Sequence, residues 1–69
     1  MKVWSLMIRG SVQVIAETIT KLGEGLELLK ARGLITPELF DDMDDYLYRG
    51  FRSVVINGES YYELTEIEI

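Results

Sequence analysis

The sequence contains no cysteine and no histidine. The absence of cysteine excludes disulfide bonds, thiolate metal sites and a thiol nucleophile. The absence of histidine removes the commonest metal ligand and the usual general base near neutral pH. No glycine-rich phosphate-binding loop is present either, because Gly23-Glu24-Gly25 lacks a third glycine and a following Lys-Ser or Lys-Thr. We therefore expect that the chain is not an enzyme and that it holds no cofactor.

Long hydrophobic runs are also missing. The apolar run after Lys2, VWSLMI, is shorter than the core of a secretory signal. No stretch reaches the roughly 18 consecutive apolar residues of a membrane-spanning helix. Together with the missing cysteines, these short runs lead us to expect a cytoplasmic protein that does not bind membranes.

The chain has only 69 residues, which we expect to form a single domain over residues 1–69. A chain of this size buries only about 60% of the surface that its unfolded form exposes. Neither a disulfide nor a metal compensates for the small core, and 48% of the residues are hydrophobic. We therefore expect a homodimer, which would cover the remaining apolar surface.

Basic residues are few and unevenly distributed. The chain has 7 Lys and Arg against 12 Asp and Glu, for a net charge of −5. Residues 1–32 carry five basic and three acidic residues, whereas residues 33–69 carry two basic and nine acidic residues. Binding to nucleic-acid phosphates needs clustered Lys and Arg, so we expect no direct nucleic-acid binding. A protein partner with a basic surface suits this charge better.

The clearest helix prediction covers residues 37–49. Thr36 is a favourable N-cap, Pro37 suits the first helical position, and Gly50 supplies a C-terminal stop. At about 100° per residue, one arc of this helix carries the apolar side chains: Leu39, Phe40, Met43, Tyr46 and Leu47. The opposite arc carries the acidic side chains and one tyrosine: Glu38, Asp41, Asp42, Asp44, Asp45 and Tyr48. The segment FDDMDD is therefore part of an amphipathic helix whose carboxylates face solvent.

Residues 51–69 are predicted to form a β-hairpin. Asn57-Gly58 is the preferred dipeptide for a two-residue type I′ turn. Such a loop predicts the cross-strand pairs Ile56–Glu59, Val54–Tyr61 and Arg52–Glu63. Residues 65–69 extend beyond the partner strand, so we expect them to pair with another strand of the chain, to join a second subunit, or to fray.

Residues 11–32 allow two interpretations. Six apolar residues at helical spacing suit one long helix that begins at Ser11: Val12, Ile15, Ile19, Leu22, Leu26 and Leu29. The stretch SVQVIAETIT, however, holds six β-branched residues in ten, which favours a strand. Gly23 and Gly25 would each cost a helix interior about 1 kcal/mol. We favour a hairpin that turns at Arg9-Gly10, followed by a helix over about residues 20–32.

With a two-residue turn, this first hairpin is predicted to pair Lys2 with Glu17. Arg9 is a poor first residue for a type I′ turn, so a slightly longer loop is the alternative. One of its faces would carry Val3, Met7, Val12, Val14 and Ala16, and the other would carry Trp4, Leu6, Ile8 and Ile15. The predicted order of elements is then ββααββ, or βααββ if residues 11–32 are one helix. Either order is an α+β fold in which a small antiparallel sheet of hairpins packs against two helices.

A metal site is another interpretation of the aspartates. Asp41, Asp42 and Asp45 resemble the DDxxD motif that binds Mg²⁺-diphosphate in prenyl-transferring enzymes, but those enzymes enclose a large helical cavity that 69 residues cannot build. A rigid helix face supplies two or three oxygens, whereas a strong Ca²⁺ site needs roughly six to eight. We therefore predict no specific metal site, and a weak divalent-cation binder is the least favoured interpretation.

Two interpretations of the acidic arc stay open. It could be only the solvated side of a helix, which charge runs usually are. Against this, Asp44 and Asp45 lie toward the C-terminal half of the helix, where the dipole disfavours negative charge. Like charges one turn apart also repel by a few tenths of a kcal/mol per pair. A sequence that tolerates this cost suggests a partner-binding surface made of Glu38, Asp41, Asp42, Asp44, Asp45 and Tyr48.

The predicted oligomer interface consists of Trp4, Ile67 and Ile69, because two helices on one face of a small sheet leave its other face uncovered. The function that we predict is a small acidic, non-enzymatic protein-binding module. In its sharper form it is an inhibitor that docks its acidic helix on the nucleic-acid-binding surface of a host protein. The alternative is a structural subunit that assembles through its sheet. The composition is similar to that of many phage-encoded or mobile-element accessory proteins, which bind host proteins, although no motif supports this resemblance.

Overall fold

The computed structural model describes all 69 residues, Met1–Ile69. Its elements are β1 (Lys2–Ile8), β2 (Val12–Ala16), α1 (Ile19–Ala31), α2 (Pro37–Arg49), β3 (Ser53–Ile56) and β4 (Glu59–Glu68). The strands form one antiparallel sheet in the order β2-β1-β4-β3. The predicted α+β fold with the order ββααββ is confirmed, and residues 11–32 form a strand and a helix. Neither helix combines the length and the apolar character that crossing a membrane requires.

The two hairpins are joined by the pairing of β1 with β4 at the centre of the sheet. This ladder has seven residue pairs, from Lys2 with Glu68 to Ile8 with Tyr62. It is longer than the β1–β2 ladder, with five pairs, and the β3–β4 ladder, with four. Residues 65–68 therefore pair with another strand of the same chain, which was one of the three predicted outcomes.

Both helices begin and end at sequence signals. The Thr18 and Thr36 hydroxyls accept hydrogen bonds from the backbone N–H groups of Lys21 and Leu39, each at 3.1 Å. Gly50 ends α2 in the left-handed conformation, with φ 75°. These caps satisfy backbone groups that a helix end leaves unpaired. The predicted bounds of α2, residues 37–49, are confirmed at both ends.

The turn of the first hairpin contains one residue more than predicted. Arg9 and Gly10 have positive φ angles of 53° and 74°, and the Ser11 N–H donates to the Ile8 carbonyl at 3.1 Å. The tight turn therefore forms, but Ile8 pairs with Val12 and not with Ser11. The predicted register, which paired Lys2 with Glu17, is wrong by one residue.

This shift decides which side chains of β2 face the helices. Side chains alternate between the two faces of a strand, so a shift of one residue exchanges the faces. The residues that pack toward the helices are Trp4, Leu6, Ile8, Val12, Val14 and Ala16. Ile15 lies on the opposite face with Val3 and Met7. The predicted grouping of Val12, Val14 and Ala16 with Val3 is therefore wrong.

The second hairpin contains a β-bulge. The turn at Asn57-Gly58 and the pairing of Ile56 with Glu59 are as predicted. Beyond the turn the register shifts, so that Val54 pairs with Tyr62 in place of Tyr61.

The predicted pairs Val54–Tyr61 and Arg52–Glu63 are therefore wrong. Tyr61 has no partner on β3, which is the usual position of the extra residue in a bulge. Its side chain reaches α2, where it contacts Asp42.

The core lies between the helices and one face of the sheet. It consists of nine buried residues from four of the six elements and the loop before α2: Leu6, Ile8, Leu22, Leu26, Ile35, Met43, Leu47, Tyr62 and Leu64. The ring of Tyr46 packs edge-to-face against Tyr62, with 5.3 Å between the centroids. The Tyr62 hydroxyl is buried and makes no hydrogen bond.

Gly25 sets how closely α1 packs on the sheet. A Cβ atom added at this position would lie 2.7 Å from Cγ1 of Val14 on β2. Val14 is β-branched and packs against the core, so it has little freedom to move. Gly23, on the same helix, has no atom within 4 Å of the corresponding position. Packing therefore requires a glycine at position 25 but not at position 23.

We predict opposite outcomes for the two alanine substitutions. Gly23→Ala should raise the free energy of unfolding by up to about 1 kcal/mol, because alanine is the better helix former. Gly25→Ala gains the same propensity but overpacks against Val14, so it should be about 1–3 kcal/mol less stable than Gly23→Ala. Denaturant unfolding monitored by circular dichroism measures both. Equal stabilisation by the two substitutions would contradict the close packing of α1 on β2.

Candidate functional site

The six residues of the predicted partner-binding surface all lie on α2 and are all exposed. Met43 and Leu47 anchor the opposite side of this helix in the core. The structure nevertheless separates the six residues into groups with different contacts. Two of the aspartates, Asp42 and Asp45, interact with other side chains of the protein.

Asp42 joins α2 to the bulge in β4. Its Oδ2 atom accepts a hydrogen bond of 2.7 Å from the Tyr61 hydroxyl. This bond raises the pKa of Tyr61 to about 12, because the carboxylate holds the phenolic proton; partial burial and the negative charge of Asp42 add to the shift. The ring of Tyr61 also lies edge-on to Tyr46 of α2, with 6.2 Å between centroids. Asp42 therefore has a structural role.

Asp45 is partly neutralised by Arg49, one turn later on the same helix. The Arg49 Nε atom lies 3.1–3.2 Å from the two carboxylate oxygens of Asp45. The Arg49 side chain is 62% exposed and the Asp45 side chain is 50% exposed. The pair therefore contributes only a few tenths of a kcal/mol to the stability of the fold. It nevertheless reduces the charge that Asp45 presents to a partner.

Asp44 of α2 lies at a groove with two acids of α1, Glu24 and Glu27, which the sequence alone did not mark as site residues. A groove of about 360 Å³ runs between the helices, and Glu24, Glu27 and Asp44 line it together with Gly23 and Tyr48. Glu24 and Glu27 are three residues apart, so they share a side of α1, and this spacing is visible in the sequence. Their meeting with Asp44, however, depends on how α1 packs against α2.

Five helix carboxylates have neither an ion pair nor a hydrogen bond to another side chain: Glu24, Glu27, Glu38, Asp41 and Asp44. The ion pairs of the protein involve other acids, namely Glu17, Asp45, Glu66 and Glu68. Lys30, at the end of α1, lies over the ring of Phe40, with 4.0 Å from Nζ to the centroid. We call these five residues, together with Tyr48, the acidic surface.

Tyr48 is the most exposed large side chain on the acidic surface, with 91% of it accessible to solvent. Its ring is excluded from the aromatic cluster that Tyr46 forms with Phe51, Tyr61 and Tyr62. Tyrosine is enriched in protein interfaces, where it combines a large apolar ring with a polar tip.

The residues of the predicted oligomer interface do not form one surface. Trp4 is half-buried on the sheet face that carries the helices, with the Arg52 guanidinium 5.0 Å from its ring. Ile67 pairs with Val3 on the opposite face. Ile69 follows the last residue of β4 and is 69% exposed.

No group of three or more His, Cys, Asp or Glu side chains is arranged to hold a metal ion. The sequence matches no protein-family model, and searches of curated proteins and of solved structures gave no match.

We predict that the Tyr61–Asp42 bond stabilises the fold until the phenol ionises. At neutral pH, Tyr61→Phe should lower the free energy of unfolding by about 1 kcal/mol. The folded-state pKa of about 12 lies above the ordinary value of 10.0. The contribution is therefore complete below pH 10 and is lost as the pH rises toward 12. Denaturant unfolding of both proteins across this range should show the difference closing.

Tyr62→Phe is the matched control for this prediction. The Tyr62 hydroxyl is buried without a hydrogen-bond partner, so its removal should leave the stability at neutral pH unchanged or raise it. If the two substitutions had the same effect at neutral pH, or if the loss for Tyr61→Phe persisted above the phenol pKa, the assigned role of Asp42 would be wrong.

Proposed function

We propose that the protein is a non-enzymatic binding module whose acidic surface binds a basic surface of another protein. The observation that carries this proposal is the group of five exposed helix carboxylates that have neither an ion pair nor a side-chain hydrogen bond. Three of them, Glu24, Glu27 and Asp44, line the groove between α1 and α2. Tyr48 stands at the rim of that groove.

The charge of this surface has an energetic cost in the free protein. Glu24, Glu27 and Asp44 line one groove and repel one another, and Asp44 also lies in the half of α2 where the helix dipole opposes negative charge. Lysine or arginine at some of these positions would stabilise both helices through ion pairs one turn apart. A basic partner would supply the missing cations on binding and would relieve the repulsion among these carboxylates.

The groove also favours basic side chains in its shape and lining. An arginine or lysine that entered it would meet three carboxylates, and a guanidinium can bind a carboxylate through two parallel hydrogen bonds. The exposed ring of Tyr48 could pack against the same cation or its aliphatic stem. Contacts of this kind accelerate association and weaken steeply with ionic strength.

We further propose that the basic surface of the partner normally binds nucleic acid. Protein surfaces that bind nucleic acids carry clustered lysine and arginine, which contact phosphates. The acidic surface would compete with nucleic acid for such a cluster, so the protein would act as an inhibitor of nucleic-acid binding. This form predicts mutually exclusive binding of the module and the nucleic acid.

We predict that two substitutions on the acidic surface abolish partner capture. The variant Asp41→Asn with Asp44→Asn removes two unpaired carboxylates and spares Asp42 and Asp45, which make contacts within the protein. Affinity capture from a native lysate should retain basic proteins with the wild type and lose them with this variant. A retained protein should then release a labelled oligonucleotide when the wild type is added, as measured by fluorescence anisotropy.

The matched control for this experiment is Glu59→Gln with Glu63→Gln. It removes the same amount of charge from two acids that also lack an ion pair but lie on the sheet. We expect the control to capture the same proteins as the wild type. Equal loss in both variants would show that only net charge matters, and equal retention in both would refute the proposed surface.

Tyr48→Ala tests the aromatic part of the acidic surface separately. Because the side chain is 91% exposed, the substitution should change the free energy of unfolding by no more than about 0.5 kcal/mol. It should still weaken binding of the captured partner, by about tenfold, if the ring is an interface anchor. Isothermal titration calorimetry with the purified partner measures this, and unchanged affinity would exclude Tyr48 from the interface.

A further inference from the structure

An open depression of about 330 Å³ lies where the turn of the first hairpin meets the loop between the helices and the start of α2. Its polar lining residues are Arg9 and Ser11, and its apolar lining residues are Ile8, Val12, Leu34, Ile35 and Leu39. We call these seven residues the Arg9 pocket. We propose that the Arg9 pocket binds an aliphatic monocarboxylate, with the carboxylate on Arg9 and the aliphatic tail on the apolar lining.

The charge of its lining distinguishes the Arg9 pocket from the other depressions on the surface. Glu59 lines one of these, and Glu24 and Glu27 line the other two. The Arg9 pocket contains a basic residue and no acidic one, although the chain has 12 acidic and only 7 basic residues. It is therefore the depression in which an anionic ligand meets a cation and no carboxylate.

The Arg9 guanidinium is free to bind a ligand. Most basic side chains of the protein are engaged, either in ion pairs or over aromatic rings: Lys2, Lys21, Lys30, Arg49 and Arg52. Arg9 has neither an ion pair nor a side-chain hydrogen bond, and the Ser11 hydroxyl also has no partner. A guanidinium binds a carboxylate through two parallel hydrogen bonds, and the serine hydroxyl is a further donor in the same lining.

Arg9 also occupies a backbone position that does not suit arginine. Its φ angle is 53°, the same as that of Asn57, the first central residue of the second turn. Type I′ turns favour asparagine, aspartate or glycine at this position, because other side chains are strained at positive φ. Asn57 meets this preference and Arg9 does not. Strained residues cluster at functional sites, and here the strain is accepted at the residue that supplies the cation of the pocket.

The apolar lining determines what must be attached to the carboxylate. Ile8 and Ile35 are buried and form the floor of the pocket, whereas Leu34 is 61% exposed. An aliphatic tail over Leu34 would remove this apolar surface from water. A volume of about 330 Å³ lies at the lower end of the range of about 300–1,000 Å³ for ligand sites, so we expect a short or medium-length tail.

The same lining disfavours other apolar carboxylates. The ammonium group of a free amino acid would find no carboxylate in the pocket, and the amide groups of a peptide C-terminus would find one hydroxyl, that of Ser11. Such groups lose their hydrogen bonds with water when they enter an apolar site. The preferred ligand therefore has no polar group besides its carboxylate.

Titration of the full chain with octanoate, followed by the amide shifts in NMR spectra, tests the proposal. We expect saturable shifts at Ser11, Leu34 and Leu39. Arg9→Asn should be at least as stable as the wild type in denaturant unfolding, because asparagine suits the turn, but its Kd for octanoate should rise by about tenfold or more. Leu34→Glu should also fold, since the side chain is exposed, and should weaken binding by a similar factor. Arg32→Gln is the matched control, because Arg32 has no ion pair and does not line the pocket.

Three further probes separate the parts of the ligand. Acetate lacks the tail, octanol lacks the charge, and N-acetyl-glycyl-leucine adds amide groups, so each should bind at least about tenfold more weakly than octanoate. Absence of saturable shifts with octanoate, equal affinity for any of the three probes, or unchanged affinity in Arg9→Asn would overturn the proposal. Asp41→Asn with Asp44→Asn should bind octanoate like the wild type, so this test is independent of the function proposed for the acidic surface.

Discussion

The pairing of β1 with β4 is the constraint on which the rest of the structure depends. It joins residues as far apart as Lys2 and Glu68 and converts two separate hairpins into one sheet. A single two-stranded hairpin is marginally stable in water, and each hairpin alone would offer the helices only half of their packing surface. The core residues of β1 and β4, Leu6, Ile8, Tyr62 and Leu64, become adjacent only through this ladder.

In the folded protein, the two faces of the sheet and the helix layer differ in burial and in charge. The helices cover one face and bury nine apolar residues between the layers. Their outer sides carry unpaired carboxylates, whereas the sheet face without helices carries little charge. Charge repels like charge over distances comparable with the Debye length, and apolar surface acts only on contact. The helix layer and the helix-free sheet face therefore differ in the kind of interaction that each one favours.

Local signals in the sequence determined where the elements lie, but not how they are aligned. Thr36, Pro37 and Gly50 define α2 completely, because capping is a short-range interaction. Both turn dipeptides were also located correctly, yet each hairpin departs from its predicted register by one residue. Turn chemistry positions a loop, whereas packing against the helices selects the register. Glu24 and Glu27 joined the candidate site for a similar reason, since only the docking of α1 beside α2 brings them to Asp44.

The bulge in β4 distinguishes two neighbouring tyrosines that the sequence presents as equivalent. Without the bulge, Tyr61 would pair with Val54 and turn toward the core, and Tyr62 would turn away from it. In the observed alignment the buried ring is Tyr62, and the hydroxyl of Tyr61 reaches Asp42. A competing alignment one residue away would break that bond and place the wrong ring beside Tyr46. The hydrogen bond between the Asp42 carboxylate and the Tyr61 phenol thus stabilises the observed strand alignment relative to its nearest alternative.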